Sequence, residues 1–212
     1  YAPLKFAVIF RGESYPATDL PWSYLPRYLL VMLPEPLLLL LAGGLVACLI
    51  AFLRGTRPSR AVATRWGLVI LSALLPVGLV IAGRSVVYNG LRHMLFVLPP
   101  LAVLGGAAMA AFAGRLALRP AAVRVAAWGA LAAWLGWHLV VAVRIHPYQY
   151  MQYNAFAGGL KGALYNYELD YWGNSYPEAL SRLEARLAAE APPGRRWRIA
   201  SCGADRAFRA DL

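Results

Sequence analysis

Residues Leu37–Leu53 read LLLLLAGGLVACLIAFL and contain no charged or amide side chain. A helix needs roughly 20 mostly apolar residues to cross the hydrocarbon core of a bilayer, and this run supplies most of that length. Three further runs have the same character, so four spans are predicted at about 33–53, 66–83, 94–113 and 125–143. The sequence therefore predicts an α-helical membrane protein with four transmembrane helices.

The composition of the whole chain agrees with this prediction. The 212 residues are 60% hydrophobic and 15% charged, and the mean hydropathy is +0.51, whereas a soluble domain is usually about 45–50% apolar. These values exclude an ordinary soluble enzyme and a disordered chain. The net charge of +11 does not indicate a nucleic-acid surface, because the basic residues between Leu37 and Tyr167 are scattered between apolar runs and no acidic residue lies among them.

The arginines of the connecting loops predict the orientation of the spans. The loops after the first and third spans carry seven arginines, namely Arg54, Arg57, Arg60, Arg65, Arg115, Arg119 and Arg124. The loop between the second and third spans carries only Arg84 and Arg92, and Arg144 follows the fourth span. Because cytoplasmic loops are enriched in basic residues, both ends of the chain are expected on the periplasmic side of a bacterial inner membrane.

Three regions follow from these spans. Residues 1–28 are expected to form an outer interfacial loop, residues 29–143 the four-helix region, and residues 144–212 an outer extramembrane segment. In the last region Ser175 is a candidate N-cap for a helix, and Trp197–Cys202 alternates as a strand does. We interpret this as the start of a small α/β domain and the chain as a piece of a longer protein.

The predicted outer loop between the second and third spans contains candidate ligands for a lipid phosphate. It carries Arg84, Asn89, Arg92 and His93 at headgroup depth. An arginine at this depth costs little, and its planar fork fits phosphate oxygens. The alternative is that these side chains contact only ordinary lipid headgroups.

The tail carries candidate ligands for a sugar or an acceptor. Glu168 and Asp170 are two residues apart and would share one face of a strand, and Tyr171 and Trp172 offer aromatic faces. The two carboxylates could bind a divalent cation, or they could belong to a solvated turn. No other cofactor is indicated, and the three histidines lack the spacing of a metal site.

Several of these motifs together resemble a known family. The segments that carry the resemblance are Phe10–Tyr24, Tyr88–Pro100, His146–Tyr150, Asn154, Gly158–Gly162 and Glu168–Gly173. They are similar to the later half of bacterial polytopic glycosyltransferases of the protein-mannosyltransferase-like superfamily, over roughly residues 6–180. The resemblance implies a C-type enzyme that takes a sugar from a polyprenyl-phosphate donor at the outer leaflet.

The resemblance also implies that this chain lacks part of the machinery. In such enzymes the acidic residue that acts as base lies in the first outer loop, near the N-terminus, and that loop is missing from this sequence. The chain alone is therefore expected to be inactive. Two alternatives remain open: a transporter or flippase for lipid-linked sugars, and a non-catalytic membrane subunit. Transporters tend to place polar or broken segments at mid-depth, where these spans have few polar side chains.

Overall fold

A computed structural model describes residues 7–190 of the chain. Its two strands are β1 (Ala7–Phe10) and β2 (Glu13–Pro16). Its α-helices are α1 (Tyr24–Met32), α2 (Glu35–Leu53), α3 (Arg60–Ala82), α4 (Leu98–Ala117), α5 (Ala121–Arg144), α6 (Gly159–Ala163) and α7 (Tyr176–Glu190). Short 3-10 turns lie at Arg92–Val97, Gln149–Met151 and Ala155–Ala157.

The four predicted membrane helices are present, and the chain is an α-helical membrane protein. Helices α2, α3 and α5, together with α4 and the 3-10 turn before it, are long and apolar enough to cross a bilayer. Their large apolar side chains are mostly exposed on the outer surface of the bundle. Such a surface is stable in a bilayer, because lipid tails surround the apolar side chains and keep them away from water.

The ends of all four membrane helices differ from the predicted spans, and α5 begins at Ala121 instead of Val125. Helix α3 begins at Arg60, six residues before the predicted Trp66, because Ser59 caps it: the Ser59 Oγ accepts a hydrogen bond from the Val62 N–H at 3.4 Å. Helix α4 begins at Leu98 instead of Met94, with proline in its first positions. Proline is well accepted there, since the first N–H groups of a helix have no partner within it.

Helix α4 is the centre of the membrane region. It packs chiefly against α2 and α3, whereas α5 touches it along a short stretch. Gly105 on α4 is buried, and a Cβ atom built there would collide with the Leu37 side chain on α2. Glycine at position 105 therefore lets α2 and α4 approach each other closely.

The segment predicted as an outer loop at residues 1–28 contains regular structure. Strands β1 and β2 pair antiparallel, with Val8 opposite Tyr15. Arg11 and Gly12 form the turn, and both have positive φ (56° and 81°), as two-residue hairpin turns require. Helix α1 begins at Tyr24 and runs past the predicted boundary at residue 28 to Met32.

A layer of aromatic side chains holds this end of the molecule together. Tyr28 on α1 has no exposed surface, and the rings of Phe10, Tyr24, Tyr153 and Tyr167 lie 4.7–6.5 Å from its ring centre. Its members come from the hairpin, from α1 and from the tail after α5. These segments therefore cover one and the same end of the helix bundle.

The tail after α5 continues beyond the aromatic layer into helix α7. Helix α7 begins at Tyr176, as the predicted cap at Ser175 implies, but the Ser175 hydroxyl donates to Asp170. The predicted strand Trp197–Cys202, and with it the proposed α/β domain, lies outside the described residues.

Replacing Asn154 by alanine is expected to detach the tail from α1. Asn154 is buried, its side-chain amide donates to the Leu30 and Leu33 carbonyls at 2.7 Å each, and its Oδ1 accepts from the Phe156 N–H at 2.9 Å. Losing these bonds should lower the free energy of unfolding by about 1–3 kcal/mol. Chemical unfolding of the detergent-solubilised protein measures this. The exposed Asn174→Ala should change it little, and equal effects of both variants would contradict the assignment.

Candidate functional site

The loop between α3 and α4 is fixed to α1 by one tight turn. Asn89 and Gly90 both have positive φ (56° and 65°), and the Gly90 N–H donates to the Tyr24 hydroxyl at 3.1 Å. A Cβ atom at position 90 would lie 3.0 Å from the Tyr28 ring, so glycine lets the loop approach α1 closely. This turn sets the start of the 3-10 segment that carries Arg92.

The Arg92 side chain lies between two aromatic rings. Its guanidinium carbon is 4.2 Å from the Trp172 ring centre and 5.7 Å from that of Tyr88. No carboxylate of residues 7–190 forms an ion pair with Arg92, and no hydrogen bond among them uses its guanidinium N–H groups. Aromatic faces hold a cation without using its hydrogen-bond donors. The planar fork of Arg92 is therefore free to bind anionic oxygens.

Glu168 is held close to the same loop. Its Oε2 accepts a hydrogen bond from the Asn89 N–H at 2.8 Å, and its backbone carbonyl accepts from the Tyr153 hydroxyl at 2.8 Å. Burial raises the pKa of the Glu168 carboxyl, and the Asn89 N–H offsets only part of this effect. Asn89 is one of the predicted phosphate ligands. In the structure its backbone N–H positions the Glu168 carboxylate.

Tyr171 lies within electrostatic reach of both the Arg92 cation and the Glu168 carboxylate. Burial raises the pKa of its hydroxyl, the charge of Arg92 acts to lower it, and that of Glu168 to raise it, so both charges are within electrostatic reach. Its ring centre is 5.7 Å from that of Trp172. The structure therefore brings together Arg92, Tyr171, Trp172 and Glu168, which we call the arginine–tryptophan cluster.

Asp170 does not share a site with Glu168. The two residues do not lie on a regular strand, and Asp170 accepts hydrogen bonds from the Tyr150 hydroxyl and from the hydroxyl and N–H of Ser175. Burial acts to raise the pKa of Asp170, but these hydrogen bonds outweigh it and the pKa lies below its ordinary value. Asp170 thus organises the turn before α7, and a cation held by both carboxylates gains no support.

The remaining predicted phosphate ligands take different positions. His93 packs edge-on against the Tyr88 ring at 4.5 Å, and its buried Nε2 has no hydrogen-bond partner among the described residues. An oxygen of a bound ligand would satisfy that nitrogen. Arg84 instead lines a separate cavity beside α1, together with Asp19 and Leu20.

One polar contact escaped the sequence reasoning. Glu35 at the start of α2 and His138 on α5 lie 2.6 Å apart, Oε2 to Nε2, and the other Glu35 oxygen accepts from the Ala155 N–H at 2.7 Å. The available signal was that Glu35 is the last acidic residue before the long acid-free stretch. This contact joins the first and fourth spans to the tail, so we interpret it as structural.

No comparison adds an identity to this geometry. No family model, no curated protein and no solved structure matches the chain. Within residues 7–190 there is also no group of three side chains suited to a metal ion. The functional argument therefore depends on the arginine–tryptophan cluster itself.

Replacing Glu168 by glutamine is expected to stabilise the fold at neutral pH. The pKa of Glu168 is raised in the folded state, so at pH values between the ordinary and the raised pKa the folded protein binds more protons than the unfolded protein. The free energy of unfolding therefore falls as the pH rises through this range. Glutamine still accepts from the Asn89 N–H but carries no charge. In a thermal unfolding experiment at pH 7 the variant should therefore have a higher Tm than wild type.

The same substitution supplies its own control at low pH. Below about pH 4 the carboxyl is protonated in both states, so the advantage of Glu168→Gln should disappear. The exposed Glu184→Gln should show no such pH dependence. A variant that is destabilised equally at both pH values would show that burial does not disfavour the charge of Glu168.

Proposed function

We propose that this chain is part of an integral-membrane glycosyltransferase, which moves a sugar from a polyprenyl-phosphate donor to an acceptor at the outer face of the membrane. The observation that carries the proposal is the Arg92 guanidinium, held 4.2 Å from the Trp172 ring with its N–H groups unused among the described residues. A cation and an aromatic ring side by side suit a ligand in which a phosphate is joined to a sugar.

The cluster suggests a division of roles. Arg92 would hold the donor phosphate through its planar fork, and it would stabilise the charge that develops as the phosphate leaves. Trp172 is 52% exposed, so part of its ring remains open to a sugar ring. The second Glu168 oxygen accepts no hydrogen bond from the described residues and could accept one from a sugar hydroxyl.

The chemical step is a displacement at the anomeric carbon. The acceptor hydroxyl forms a bond to that carbon, the bond from carbon to phosphate oxygen breaks, and the phosphate leaves with the bonding electrons. The hydroxyl proton passes to a base. The family resemblance implies that the base is an acidic residue of a first outer loop, so residues 7–190 would bind and stabilise the donor without supplying the base.

The location of the cluster supports an outer-face site. Residues 84–91 connect the ends of α3 and α4 opposite to the arginine-rich loops. The Asn89 contact to Glu168 brings the tail after α5 to the same end. Seven arginines lie in the two loops at the opposite end, against two in the loop at this end and Arg144 after α5, so the charge distribution of the loops favours the periplasmic side for the cluster.

The test is consumption of a labelled polyprenyl-phosphate sugar by the intact protein in proteoliposomes. Wild type should release polyprenyl phosphate and transfer the label to an acceptor, Trp172→Ala should do so poorly, and Glu184→Gln should match wild type. Movement of the intact donor between leaflets without cleavage would favour a flippase. Binding of the donor with neither cleavage nor movement would favour a non-catalytic subunit.

A further inference from the structure

A cavity of about 360 Å³ lies between the segment 18–25 and the end of α3. One wall is apolar and is formed by Leu20, Pro21, Trp22, Leu25, Val80 and Ile81. Trp22 is 73% exposed although it borders the predicted membrane region. Tryptophan prefers the boundary between lipid and water, so the opening of this cavity has the character of a membrane interface.

The backbone of Arg84 is in a conformation that few arginines adopt. Its φ is +46°, in the left-handed region, which costs free energy for a residue with a Cβ atom. The turn nevertheless satisfies the end of α3, because the N–H groups of Gly83 and Ser85 donate to the Leu79 and Val80 carbonyls at 2.8 and 3.0 Å. Because these carbonyl oxygens accept hydrogen bonds, they repel a negatively charged group near Arg84 less than unpaired carbonyl oxygens would.

Two opposite charges line this cavity without pairing to each other. Arg84 and Asp19 are both exposed, and neither side chain forms an ion pair or a hydrogen bond within residues 7–190. A ligand that carried only negative charge would gain from Arg84 but would be repelled by Asp19. A ligand with both a phosphate and an ammonium group could satisfy both side chains.

We propose that this cavity binds a zwitterionic aminophospholipid of the phosphatidylethanolamine type. Arg84 binds its phosphate, Asp19 accepts hydrogen bonds from its ammonium group, and the apolar wall contacts the glycerol and upper acyl carbons. The ammonium has N–H donors that a choline headgroup lacks, so the carboxylate favours ethanolamine over choline. This inference depends on the membrane fold and is independent of the proposed sugar transfer.

Native mass spectrometry of the detergent-solubilised protein, with lipids of matched acyl chains, tests the proposal. Wild type should retain phosphatidylethanolamine better than phosphatidylglycerol or phosphatidylcholine. Asp19→Asn should reduce the preference for ethanolamine over glycerol headgroups by roughly two- to fivefold, as expected for an exposed charge pair. Arg84→Gln should weaken the binding of all three lipids.

Two matched variants serve as controls. Glu13→Gln and Arg119→Gln remove exposed charges that do not line this cavity, and both should leave the lipid preference unchanged. Equal retention of the three lipids by wild type would overturn the proposal, and so would a preference that Asp19→Asn does not alter. If Arg84→Gln fails to fold, the Asp19→Asn result decides alone, because the Asp19 side chain forms no hydrogen bond or ion pair within residues 7–190.

Discussion

Replacing Arg92 by alanine in the intact protein is expected to weaken binding of a polyprenyl-phosphate sugar by roughly tenfold to a hundredfold. Hydrogen bonds to charged groups contribute about 1.5–3 kcal/mol, which corresponds to a change of this size. The guanidinium has aromatic neighbours on its faces and uses none of its donors within the described residues. Its removal should therefore affect the ligand more than the fold. Titration of the donor into protein in nanodiscs measures the affinity.

Two variants separate charge from geometry. Arg92→Lys keeps the charge but loses the planar fork, so it should recover only part of the affinity. Arg119→Ala removes an exposed arginine from the loop between α4 and α5 and should bind like wild type. Transfer from the donor that is undiminished in Arg92→Ala would remove the phosphate role of this residue.

Replacing Tyr28 by alanine is expected to dissolve the aromatic layer at this end of the molecule. Large-to-small changes of buried aromatic residues cost about 3–5 kcal/mol, because a cavity replaces the ring. Tyr28 has no exposed surface and contacts rings from the hairpin and the tail. The N–H groups of Asn89 and Gly90, which bond across the layer, should then exchange with solvent faster by on the order of a hundredfold.

The conservative substitution at the same position is the control. Tyr28→Phe keeps the ring and loses only the hydroxyl, which accepts a long hydrogen bond of 3.4 Å from the Glu168 N–H. It should therefore leave exchange at positions 89 and 90 close to wild type. The membrane helices should persist in both variants, since none of them contributes a ring to the layer. Unchanged exchange in Tyr28→Ala would mean that the layer does not hold the site.

The membrane spans could be predicted because hydropathy is local information. Each span is predominantly apolar, and a bilayer stabilises such a helix whatever its neighbours are. The ends of the spans do not follow from hydropathy, because they depend on caps such as Ser59 and on the prolines at the start of α4. The hairpin at residues 7–16 was missed, since its two strands have only four residues each.

Part of the candidate site could also be predicted from residue type. Arg92 and Trp172 were singled out separately, as a cation at headgroup depth and as an aromatic face in the tail. Their contact could not be predicted, because 80 positions of chain and two membrane helices separate them. The same holds for Glu35 and His138, which meet only because α2 and α5 place them at the same end of the bundle.

Local composition alone decides that this chain enters a membrane and which segments cross it. The free energy of transferring a helix from water into lipid is roughly the sum of the contributions of its residues, so it does not depend on the rest of the fold. The pairing of charges is decided by the tertiary structure. Arg84 and Arg92 were predicted to act together, yet one lines the cavity beside Asp19 and the other lies on Trp172. Glu168 acquires its raised pKa only from the burial that the folded tail imposes. Electrostatic interactions depend on distance and on access of water, and neither is set until the helices have packed.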